Sequence, residues 1–182
     1  KRPLHWASTT EIIDTLLAHG AEIDARCIDH QSTAAQYRVR DTELCRHLIS
    51  RGADVDIFMA AALGDQALVE RVLDGDPGCI TARIGRPGYA PVPPGHIYQW
   101  KLQAASVLLV AAKHGGKEIY DLLLTRSPVK EQFLAACELA DEARATSVLA
   151  ASPNLLSQLT ADDRGQIDGA AFSHNIPALE LM

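Results

Sequence analysis

Apolar residues in this chain fall in clusters spaced as one face of a helix, and most clusters are closed by a glycine or a proline. In "EIIDTLLAHG" the cluster is Ile12, Ile13, Leu16 and Leu17, ended by Gly20. That spacing puts all four side chains on a single helical stripe. The device returns in "ELCRHLISRG" with Leu44, Cys45, Leu48 and Ile49, and in "ALVERVLDGDP" with Leu68, Val69, Val72 and Leu73. It returns again in "EIYDLLLTRSP" with Ile119, Tyr120, Leu123 and Leu124. "ARATSVLAASP" keeps a thinner version, Ala145, Val148 and Leu149, and a last copy begins at "PALELM". Each cluster predicts an amphipathic helix with a stop signal behind it.

Ahead of the later clusters lie shorter stretches rich in small residues: "FMAAALGD", "LVAAKHGG", "LAACELAD" and "DGAAFSHN". Their pairs, Ala60–Ala61, Ala111–Ala112, Ala136–Cys137 and Ala170–Ala171, would let neighbouring helices approach closely. One such helix pair cannot cover its own apolar face, but a stack of pairs can. Burying one Leu or Ile is worth roughly 1.5–3 kcal/mol, so four per copy suffice to hold neighbours together. The equivalent residues Leu16, Leu48, Val72, Leu123, Val148 and Leu181 are separated by 32, 24, 51, 25 and 33 positions. This is a repeat near 33 residues with local edits. The expected copies are 2–31, 32–56, 57–84, 103–129, 130–160 and a shortened 161–182, forming one domain over 1–182.

The long interval holds an insertion at 85–102, "GRPGYAPVPPGHIYQWKL". Its prolines and glycines forbid a continuous helix. "HIYQWKL" alternates apolar and polar residues and predicts a half-buried strand, the stem of a projecting loop.

These segments resemble the ankyrin-repeat family. "RPLHWA" is similar to the family's T-P-L-H-x-A opening through Pro3, Leu4, His5 and Ala7. "LLAHGAEIDA" and "LISRGADVD" are similar to its L-L-x-x-G-A-D-V-N ending, and "AAALGDQALVERVL" to its middle. The resemblance implies a mostly all-α solenoid of stacked helix–turn–helix repeats with short β-hairpin fingers at the base. It also implies that His5 braces its turn against the adjoining repeat. This chain departs from the pattern in places. The first helix of copy one is clipped, and Ala34, Ala35 and Gln36 stand where Pro, Leu and His are usual. Fingers are missing before the third and fifth copies. One ordinary finger is expected in "AEIDARCIDHQST", turning near Asp29 to Ser32.

Composition narrows the function classes. The chain is 47% hydrophobic and 22% charged, as expected for a globular protein. Its formal charge of −6 argues against a nucleic-acid partner. No apolar run is long enough to predict a membrane span, and no signal peptide is visible. The chain starts at Lys1 and stops inside an apolar cluster, so it reads as a piece of a longer protein. Cys27, Cys45, Cys79 and Cys137 lack the paired spacing of a zinc site. They are expected to be buried, reduced thiols of a cytoplasmic protein. His19, His47, His114 and His174 fall at helix ends and turns, where polar residues face water, and none lies at a defining distance from a nucleophile.

The reading is a non-catalytic protein–protein interaction module without cofactor or metal, expected to be a monomer. The partner would meet Arg26, Asp29, His30 and Gln31 on the finger, and Tyr89, His96, Tyr98 and Trp100 on the insertion, where aromatic residues gather. Two alternatives remain open at this point. The chain could be the targeting or regulatory segment of a protein with a separate catalytic domain. It could also be a Cys/His hydrolase using Cys27 or Cys137.

Overall fold

Short polar side chains set where the helices begin. Thr9, Thr33, Asp41, Asp56, Asp65, Ser106, Asp141 and Thr160 each accept a hydrogen bond from the amide three residues on. Each satisfies an amide that the first turn leaves without a partner. At Thr33 the bond is reciprocated, since Gln36 Oε1 accepts from the Thr33 amide at 2.8 Å. Glycines set two of the stops. Gly20 (φ 85°) and Gly52 (φ 102°) are left-handed, and the amides beyond them, of Ala21 and Ala53, reach back to the carbonyls of Leu16 and Leu48 at 3.0 Å.

The computed structural model describes residues 2–86, 92–172 and 174–181. A 3-10 turn, Pro3–Trp6, precedes α1 (Thr10–Ala18). Then come α2 (Ala34–Tyr37), α3 (Thr42–Ser50), α4 (Ile57–Ala62), α5 (Gln66–Gly75), α6 (Tyr98–Lys101) and α7 (Val107–Val110), which runs into a π turn, Ala111–Gly115. They are followed by α8 (Lys117–Arg126), α9 (Val129–Glu138), α10 (Glu142–Ala151), α11 (Ala161–Arg164), α12 (Gln166–Phe172) and α13 (Ile176–Leu181). The protein is all-α: among the described residues there is no strand, only an isolated bridge between Arg83 and Ser106. No helix of the described residues is long and apolar enough to cross a membrane.

The chain divides into two compact units, Lys1–Tyr120 and Asp121–Met182. In the first, short first helices alternate with longer second helices, as the small-residue and apolar clusters predict. The clipped opening helix is the four-residue 3-10 turn. Neighbouring second helices are tied by His47 Nε2, 2.8 Å from Asp14 Oδ1, and by Arg51, 3.0 Å from the same oxygen. The missing finger before the third copy is a direct junction, since Asp56 both ends one copy and caps α4. In the second unit, Phe133, Leu134, Ala136, Cys137, Ala145 and Leu155 form a core, with Val148, Leu149, Leu159 and Leu181 packed against it. Lys130 pairs with Asp163 there at 3.0 Å, and Asn175 donates to the Glu138 carbonyl.

The strand expected in "HIYQWKL" is instead a helical turn. His96, Ile97, Tyr98 and Leu102 are buried while Gln99, Trp100 and Lys101 are exposed. Three inward, three outward and one inward is the period of a helix. The insertion is therefore not a hairpin stem among its described residues.

Small residues do bring the first helices of this unit together. Ala60, Ala61 and Ala111 are fully buried, and the two backbones meet at Gly64 and Gly115. A Cβ on Gly115 would overlap the Ala61 carbonyl oxygen, and one on Gly64 would lie 2.9 Å from the Gly115 oxygen. Gly64 is also left-handed, at φ 65°. Gly115→Ala and Gly64→Ala are each expected to lose about 1–3 kcal/mol of stability in urea unfolding. Gly75→Ala, in a helix with open space around it, should gain about 0.5–1 kcal/mol.

Candidate functional site

The finger is closed by its own backbone. The Cys27 amide donates to the Ser32 carbonyl and the Gln31 amide to the Cys27 carbonyl, both at 3.0 Å. Gln31 takes a left-handed φ of 49° to complete the turn, and Arg26 Nη1 donates to the Gln31 carbonyl at 2.7 Å. Asp29 is exposed, His30 half-buried, and Ile28 at the tip is 91% exposed. His5 reaches across from the preceding copy. Its Nε2–H donates to the Ser32 carbonyl at 2.9 Å, which is the bracing role that the motif implies.

The insertion packs against this finger. His30 Nδ1–H donates to the Gly95 carbonyl at 3.0 Å, and its ring lies 4.8 Å from Trp100, centroid to centroid. The Ile97 amide donates to Ser32 Oγ at 3.2 Å. Two groups of expected contact residues, some 65 positions apart in sequence, thus form one surface: Arg26, Asp29, His30 and Gln31 beside Trp100, which is 56% exposed.

Beneath that surface runs a buried polar network. Asp56 Oδ2 accepts from Gln36 Nε2 at 2.8 Å and from the Tyr98 hydroxyl at 2.9 Å, and Oδ1 accepts from the Met59 amide at 2.9 Å. None of these donors is a cation. Burial pushes the Asp56 carboxyl upward, and the hydrogen bonds from Gln36, Met59 and Tyr98 work against that push. His96 Nδ1 accepts from the Tyr98 amide at 3.2 Å, so its proton sits on Nε2 and is donated to Gln36 Oε1 at 3.1 Å. This geometry needs a neutral imidazole. Burial pulls His96 down to about 4, with the Arg26 and His30 charges adding to the effect.

His96 and Tyr98 therefore leave the expected contact surface: both side chains are 0% exposed and hold the insertion in place. Tyr89 lies outside the described residues. The sequence reading missed Ile28, an apolar residue in the otherwise polar turn "CIDHQ". It also placed His114 in water. Instead, its Nε2–H donates to the Leu102 carbonyl at 2.8 Å and its Nδ1 accepts from Arg40 at 2.7 Å.

All four cysteines are free and buried. Burial pushes the Cys45 and Cys79 thiols up to about 12 and Cys137 up to about 11. At Cys27 burial acts in the same direction, but hydrogen bonding from the Tyr37 hydroxyl and the backbone of Ser32 and His30 outweighs it and lowers the thiol. The partners of that sulfur are the Tyr37 hydroxyl and the His30 amide, both at 3.4 Å, rather than an imidazole. Among the described residues, no three His, Cys, Asp or Glu side chains are grouped so as to hold a metal ion.

Residues 2–28 match the family model described as "Ankyrin repeat". The T-P-L-H-like turn and the glycine-ended α1 fall inside the matched segment. Among solved structures it is similar to the human ASB11 ankyrin repeat domain. That likeness is 17% identical, covers 84% of this chain and 70% of that chain, and has a TM-score of 0.47. No curated protein matches the chain.

His96 titration supplies a test of the network. Its folded-state value lies below the ordinary 6.5, so the unfolded chain takes up the proton first as pH falls. The stability this contributes is complete above pH 6.5 and is lost between there and about pH 4. The loss should be about 3 kcal/mol over the window. Urea unfolding at stepped pH should show that slope in the wild type and not in His96→Gln. Asp56, shifted upward, acts in the opposite sense, and comparing the two proteins cancels its share.

Proposed function

We propose that this chain is a non-catalytic protein–protein interaction module, whose finger and insertion together present one contact surface to a partner protein. Ankyrin repeats are protein-binding modules in general, and residues 2–28 of this chain match that family's model. The observation that carries the proposal is the exposure of two large apolar side chains, Ile28 (91%) on the finger and Trp100 (56%) against the finger's His30, on a backbone fixed by the His5, Ser32 and His30 hydrogen bonds. Large apolar side chains on a rigid support lose little freedom when a partner covers them. Arg26, Asp29, His30 and Gln31 form the polar rim around these anchors. Four unpaired thiols suit a reducing compartment such as the cytoplasm.

Proximity labelling in cells, with wild type, Ile28→Ser/Trp100→Ala and Leu156→Ser, a surface variant in the second unit, compared side by side, tests the reading. Partners labelled by wild type and by Leu156→Ser should be lost from the finger–insertion variant at unchanged thermal midpoint. A partner set that the Ile28→Ser/Trp100→Ala protein keeps in full contradicts the assignment of this surface.

A further inference from the structure

Beyond Trp100 the exposed side of α6 continues into a run of cations. Lys101 is exposed. The next two carbonyls, of Leu102 and Gln103, accept from His114 Nε2–H and Lys113 Nζ. Arg40 closes the run by donating to His114 Nδ1. These contacts join Arg26, His30, Trp100, Lys101, Lys113 and Arg40 into one stretch that leads from the finger to the π turn. Among the described residues, Arg40, Lys101 and Lys113 form no ion pair. Asp29, and Asp24 which faces Arg26, are carboxylates at its finger end, against the cations Arg26, Lys101, Lys113 and Arg40. Asp41 and Glu118 border its far end, and Asp41 Oδ1 is engaged by the Leu44 amide in capping α3. In a chain with 17 Lys and Arg against 23 Asp and Glu, this stretch reverses the overall balance.

We propose that the stretch takes an acidic segment of the partner protein: an extended peptide with Asp or Glu beside an apolar residue, its carboxylates on Arg40, Lys101 and Lys113 and its apolar side chain on Trp100 and Ile28. The inference rests on the interaction-module reading and adds the partner's chemistry to it. Sign complementarity selects the partner and speeds encounter, while the apolar contact holds the complex. A basic segment would be repelled at three positions.

The test is selection from a random peptide library with the full chain as bait. Enriched peptides are then titrated by fluorescence anisotropy on wild type, Lys101→Glu/Lys113→Glu and Trp100→Ala, each checked for an unchanged thermal midpoint. If the charge reversal fails to fold, Lys101→Gln/Lys113→Gln takes its place. The enriched peptides should be rich in Asp and Glu around an apolar residue. They should bind the charge-reversed protein about tenfold more weakly and lose affinity as salt is raised. Enrichment of neutral or basic peptides overturns the proposal, as do no enrichment, acidic peptides indifferent to the charge reversal, or tighter binding of a single-stranded oligonucleotide of matched charge. Neutral peptides that still need Trp100 would remove the acidic preference and leave the interaction module standing. Peptides indifferent to both Trp100 and the lysines would remove this site altogether.

Discussion

Burying the Asp56 carboxylate with no cation among its hydrogen-bond donors makes it depend on neutral groups, and they come from three separate parts of the sequence. Gln36 belongs to the second copy, the Met59 amide to the start of α4, and Tyr98 to the insertion. A buried charge that loses one such donor is left uncompensated, and the cost exceeds that of an ordinary hydrogen bond. The junction where a finger is missing is therefore fixed by the same oxygens that hold the insertion. Gln36, which stands where the family's motif has histidine, links this carboxylate to His96 through its own amide oxygen.

From that anchorage the exposed surface follows. Tyr98 points inward to Asp56, and the helical turn it begins carries Trp100 outward, against His30. Ile97 is tied by its amide to Ser32, whose carbonyl also receives His5. Trp100 and Ile28 thus stand on backbone segments held by several independent bonds. Side chains on such supports have little ordering entropy left to lose on binding.

Much of this was legible because it recurs or sits in a motif. The glycines ending α1 and α3 act over a few positions and, like the small residues of the first helices, return along the chain, while His5 was placed by the single T-P-L-H-like stretch that holds it. The finger turn was also readable, since residues 27–32 close on themselves. The insertion was not. Over seven residues "HIYQWKL" satisfies both an alternating and a helical pattern. In a strand, residues 98 and 100 share a face, whereas one helical turn sends them to opposite sides. That difference moved Tyr98 from expected contact to core support and left Trp100 outside. The meeting of Trp100 with His30, and of His114 with Arg40, depends on packing between distant segments, for which one sequence carries no signal. Ile28 could have been noticed as the apolar residue in a polar turn.

The central claim is that the insertion is a docked part of the repeat stack, carried by the Asp56 network. Amide hydrogen exchange over residues 96–102 measures this directly, because a docked segment exchanges only when the structure around it opens. The amides of Ile97, Tyr98 and Leu102 should be protected to nearly the same degree as those of α4, and Gln36→Ala should lower the protection of both segments together. Exchange at 96–102 as fast as in an unstructured peptide, with α4 still protected, would contradict the account.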